Sequence, residues 1–85
     1  MDKKLQNVIE RKITEILSQS DEITLIVESL GDLSFDDSSF SKGIFIGRLY
    51  NSFYYQSRRI LKRDPTKEEF SEFVKILKNK QDLFK

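Results

Sequence analysis

Residues 42–63 read KGIFIGRLYNSFYYQSRRILKR, and this stretch decides the fold. On a helical wheel started at Gly43, Ile46, Leu49, Tyr50, Phe53 and Ile60 fall between about 240° and 340°, a single apolar face. Arg48, Asn51, Tyr55, Arg58, Arg59 and Lys62 fall between about 60° and 160°, on the other side. The spacing therefore predicts a long helix over 42–63 with one side for a core and one for solvent or a partner. Pro65 ends it, because the ring of a proline pushes the preceding residue, Asp64, out of the helical region.

Downstream, Thr66 offers an N-cap, and Glu69 at the third helical position completes a capping box. Pro65 and Phe70 are placed for a hydrophobic staple. A helix over 66–79 follows, with Phe70, Phe73, Val74 and Leu77 as its buried stripe, extended by Phe84. The end, Asn79 to Lys85, is expected to fray. The phrase Arg63-Asp64-Pro65-Thr66-Lys67-Glu68-Glu69 resembles the R-x-P-T-x-x-E phrase that opens a helical subdomain of bacterial sigma factors. The likeness covers seven residues of 85 and carries no function with it.

Upstream, residues 32–41 read as a polar connector anchored on the core by Phe35 and Phe40. Its spaced Asp and Ser do not make a calcium loop: Asp37 stands where the turn glycine belongs, and the twelfth position is Gly43 rather than a bidentate Glu. Before it, a helix over 21–30 would bury Ile23, Ile26, Val27 and Leu30 and end on Gly31 as a left-handed cap. Ile23, Leu25 and Val27 also alternate as a strand would, so two periods compete there. The first segment, 3–18, carries Leu5, Val8, Ile9, Ile13, Ile16 and Leu17 at helical spacing. The expected fold is one all-α domain over 1–85, a small bundle of about four helices (roughly 3–18, 21–30, 42–63 and 66–79).

Composition narrows the chemistry. With no Cys there are no disulfides or thiolates, and with no His the triad mechanisms and the usual zinc ligands are gone. Glu68, Glu69 and Glu72 stand in the first turns of a helix, where acids are favoured by the helix dipole. The expectation is a non-enzymatic protein without metal or cofactor. Its longest apolar runs, Leu25-Ile26-Val27 and Ile44-Phe45-Ile46, fall far short of the roughly 20 residues of a membrane span. A soluble, cytoplasmic setting is expected, since the start of the chain is amphipathic rather than a secretory leader.

The formal net charge of +1 conceals segregation. Residues 13–41 hold seven acids (Glu15, Asp21, Glu22, Glu28, Asp32, Asp36 and Asp37) and no base. Residues 42–63 hold six bases and no acid. Arginine suits bidentate recognition of carboxylate or phosphate, and an exposed Tyr beside it can stack. Arg58, Arg59, Lys62 and Arg63 also suit a helix C-terminus, but Arg48, Asn51 and Tyr55 sit too far inside for the dipole to account for them. Gly43 and Gly47, one turn apart, would let a neighbouring backbone come close, or serve local packing. The function expected is a protein-interaction module in which Arg48, Asn51, Tyr55, Arg58, Arg59 and Lys62 dock an acidic partner or a second copy. The alternative is weak binding of DNA or RNA through the same face.

Overall fold

The computed structural model describes residues 1–84. Asp2 opens the first helix, α1 (Lys3–Leu17), by accepting the Leu5 amide on its carboxylate at 2.8 Å. Leu5, Val8, Ile9, Ile13 and Ile16 are buried along one face, and Leu17 packs at its edge.

The second helix, α2 (Ser20–Ser29), settles the competition between the two periods in favour of the helix. Ile23 and Val27, one turn apart, are buried, whereas Ile26 and Leu30, expected beside them, are exposed. Ile26 lies about 80° around the helix from the midline of the buried pair, and Leu30 is already leaving the helix. Gly31 is not a left-handed cap: it opens a 3-10 turn, Gly31–Leu33, and no described glycine has positive φ.

The third helix, α3 (Asp37–Leu61), begins earlier than residue 42. Asp36 is its N-cap, accepting the Ser38 amide at 3.0 Å and the Ser39 hydroxyl at 2.6 Å. These bonds, the Ser39 hydroxyl first, hold the Asp36 carboxyl below the usual carboxylate range. The polar connector is thus largely the start of a helix, built from Asp and Ser that bond to nearby amides. Phe40 packs against the core as expected, but Phe35 does not: it is fully exposed.

Phe45, Leu49, Phe53, Gln56 and Ser57 form the buried side of α3, a sector between about 200° and 320° on the same wheel. This is rotated from the predicted face, so Tyr50, expected in the core, is 47 % exposed, and Ile46 and Ile60 are half-buried. Ser57 is fully buried at no polar cost, because its hydroxyl donates to the Phe53 carbonyl at 2.7 Å. Lys62 closes the helix in the left-handed conformation, φ 61° and ψ 27°.

The fourth helix, α4 (Lys67–Asn79), starts on the predicted capping box: the Glu69 amide donates to Thr66 Oγ1 at 3.1 Å, and the Thr66 amide to Glu69 Oε1 at 2.9 Å. Phe73 is buried and stacks on Phe53, with ring centroids 4.3 Å apart and planes 2° from parallel. Each such ring contributes about 1.5–3 kcal/mol by leaving water. Val74, expected in the buried stripe, is exposed, since it lies about 100° from Phe73. Instead of a frayed end, Gln81–Phe84 form a 3-10 turn that sets Phe84 6.0 Å from Phe45. Lys85 lies outside the described residues. The Met1 amino group pairs with Glu72, and Lys80 with Glu10 at 3.8 Å, tying α1 to α4.

The fold is all-α, a small bundle of four helices with no strand among the described residues. At 1.5 Å per residue the 25 residues of α3 run about 37 Å, close to the longest extent of the molecule, 38 × 22 × 22 Å. Every other helix is arranged around this one axis.

Candidate interaction face

Arg48, Asn51, Tyr55, Arg58, Arg59 and Lys62 are all exposed on the side of α3 away from the core. Tyr55, at the middle of the face, is 61 % exposed. The structure therefore brings the six together, but not as six equivalent groups. Arg48 donates to the side-chain oxygen of Gln19, between α1 and α2. Arg59 donates to the buried Gln56 at 3.3 Å. Arg58 donates to Asp64 at 2.6 Å, with its guanidinium 5.4 Å from the Tyr54 ring centroid. Asn51, Tyr55 and Lys62 carry no side-chain bond among the described residues. The Arg58–Asp64 pair joins two exposed charges and is weak, and the Arg48–Gln19 bond is solvent-exposed and to a neutral group, so a partner can compete for both arginines.

Arg63, just past the face, is committed elsewhere. It makes two parallel bonds to Glu69, 2.7 and 3.2 Å. That guanidinium, helped by the Thr66 amide, pushes the Glu69 carboxyl down to about 2, and the pairing raises Arg63 in turn. At the α3–α4 corner one ion pair and one capping box thus share a single carboxylate, with the Arg58–Asp64 pair beside them.

The acidic block does not cover the basic face. All seven acids of 13–41 are exposed, and among the described residues no ion pair joins one of them to a base of 42–63. Glu15 pairs with Lys12, within α1, at 3.3 Å. Gly43 and Gly47 serve no close approach inside the chain, because a Cβ at either would meet nothing within 4 Å.

Two features escaped the reading by blocks. An open cleft of about 480 Å³ lies between α3 and α4, with Tyr50, Tyr54, Pro65, Phe70 and Lys67 in its walls. It flanks the basic face on the Arg58 side, since Arg58 rests over Tyr54. The exposure of Tyr50 is what opens it, and the predicted core face hid that. The second feature is a groove of about 450 Å³ along α1, lined by Lys3, Lys4, Asn7, Val8 and Arg11. Its signal was the four-residue spacing of Lys3, Asn7 and Arg11, masked by Asp2 and Glu10 in the charge of residues 1–12.

Among the described residues no group of His, Cys, Asp and Glu is placed to hold a metal ion, and no helix is long and apolar enough to cross a membrane. No family model matches the chain, and neither a curated protein nor a solved structure matches it.

Proposed function

We propose that this chain is a non-catalytic protein-interaction module, cytoplasmic in setting, that docks an acidic protein surface on the basic-aromatic face of α3. One observation carries the reading: the six residues of the face are exposed, and among the described residues none of the seven acids of 13–41 pairs with them, the chain's own contacts being those of Gln19 with Arg48, Gln56 with Arg59 and Asp64 with Arg58. Complementary charge of this kind steers an encounter and fixes its register more than it adds affinity. Arg48, Arg59 and Lys62 supply the charge, and Tyr55 and Asn51 the contact between them.

The test is retention of acidic proteins on the immobilised chain and on an Arg48→Glu/Arg59→Glu variant of matched helicity. Proteins held by the first and released by the second support the reading. Identical retention on both overturns it. Tyr55→Ala, at an exposed position, repeats the comparison without any change of charge.

The exposed Tyr55 among cations favours a second reading, the binding of single- or double-stranded nucleic acid. Three phosphate contacts predict a log–log salt slope of about −2.7 on duplex DNA, and four, if Arg58 leaves Asp64, about −3.6. A labelled oligonucleotide titrated across a salt series reads that slope, and a flat line removes this reading.

A further inference from the structure

The start of α3 presents an aromatic knob. Phe35 is fully exposed, with Leu33 beside it at 77 % exposure. Asp32, Asp36 and Asp37 flank them in sequence, all exposed, and no base occurs between residues 13 and 41. An exposed aromatic ring next to carboxylates that make no ion pair among the described residues is complementary to an aromatic-lined recess with cations at its rim.

The chain contains such a recess. The cleft between α3 and α4 offers the rings of Tyr50, Tyr54 and Phe70 and the ring of Pro65, with Lys67 in its wall and Arg58 over Tyr54. Its volume of about 480 Å³ admits a phenyl ring and lies within the range of about 300–1,000 Å³ typical of binding pockets. Within one molecule knob and cleft cannot meet. Phe35 precedes Asp37, the start of α3, and Tyr50 and Tyr54 lie about 20 and about 25 Å further along the helix axis.

We infer that the partner is a second copy of this chain, whose Phe35 knob enters the Tyr50–Tyr54–Phe70 cleft. The inference rests on the reading of the α3 face as a docking surface, and names its occupant. Asp32, Asp36 and Asp37 of the incoming copy then stand against Lys67 and the basic face, and compete with Asp64 for Arg58. Pairing of knob with knob would bring like charges together, so the charges select the unlike pairing. The contact is heterologous: each copy keeps one free knob or one free cleft, and the assembly extends or closes into a ring.

The experiment is sedimentation of the full chain at rising concentration, in low salt and in about 0.5 M salt, where screening shortens the reach of charge to a few ångströms. Two variants at exposed positions accompany it. Phe35→Ser removes the knob, and Ser71→Trp places an indole at a residue that lines the cleft. The wild type should associate with concentration, and less so in high salt. Each variant alone should be a monomer of 10.1 kDa. Mixed, they should form a dimer and nothing larger, because only one good knob and one good cleft remain per pair. A wild type that stays monomeric throughout overturns the inference, whatever else occupies the cleft. So does association that survives Phe35→Ser, or association that survives Ser71→Trp. If the wild type is monomeric yet still retains acidic proteins that Arg48→Glu/Arg59→Glu releases, the second copy falls and the docking face stands. If it retains none, both fall.

Discussion

The starts of α3 and α4 carry the same pattern: an apolar residue, a capping residue, and a phenylalanine four positions after the cap. At the first start these are Phe35, Asp36 and Phe40; at the second, Pro65, Thr66 and Phe70. Both caps make their side-chain bonds to backbone amides, and both distal phenylalanines pack on the core. The leading residues part company. Pro65 is half-buried and shares a cleft wall with Phe70, while Phe35 stands in solvent. The proline ring fixes its own backbone, and Arg63 pins the approach by bonding both the Asp64 carbonyl, at 3.1 Å, and Glu69. Among the described residues no side chain from another element holds the approach through Ser34, whose hydroxyl bonds to the backbone of Asp36 and whose amide bonds to the Gly31 carbonyl. Local polar chemistry is enough to start a helix; keeping the leading apolar residue out of solvent takes a fixed entry angle as well.

The largest effect belongs to the side of the molecule that closes. Phe73→Ala, which removes the ring stacked on Phe53, should cost about 3–5 kcal/mol in urea unfolding. A cost below about 1 kcal/mol would mean that the α3–α4 contact is not the anchor described.

Next comes the shared carboxylate. Glu69→Gln should cost about 1–2 kcal/mol at neutral pH, less than the full shift implies, because Arg63 is half-exposed and screened. The folded carboxyl titrates near 2 and the free one near 4.5. Its stabilisation is therefore complete above the unfolded value and fades as pH falls from about 4.5 towards 2. Wild type and variant should converge at the acid end of that window, and a gap that stays constant with pH would show that the ion pair is not its source.

A smaller change has the opposite sign. Lys62 is held left-handed, where a side chain costs energy and glycine does not, so Lys62→Gly should raise stability by about 0.5–1 kcal/mol. The denaturation midpoint should move while the slope stays the same. The smallest effect is expected at the open entrance. Phe35→Ala should leave the fold within about 0.5 kcal/mol of wild type, since the ring buries nothing within its own chain. A large loss there would erase the difference between the two entrances.

Periodicity carried α1 almost whole, because Leu5, Val8, Ile9, Ile13 and Ile16 repeat over four turns and the error of any one position averages out. The capping box at Thr66 was legible from four residues, since its bonds are local. The start of α3 was not, although Asp36 and Ser39 carry its signal; among so many Asp and Ser, capping and loop look alike until the backbone turns. The six residues of the basic face were legible as a face, but their commitments were not. Arg48 meets Gln19, 29 positions away, and no window along the chain reports that bond. The cleft was invisible for a related reason: a modest rotation of α3 moved Tyr50 from the core to the rim, and only the partner helix fixes that angle.

The acids near the first turn of α3 and the arginines near its last turn also give the molecule a direction. At a net charge of +1 an external field barely pulls on the chain, yet it twists it, because the two ends are pushed opposite ways. In dilute salt the chain would turn before it travels, and arrive at a charged body with one chosen end forward. At physiological salt the reach of a charge is about 8 Å, far less than the 38 Å length, so each end acts alone. Ionic strength thereby decides whether a neighbour meets a compass needle or two unrelated patches.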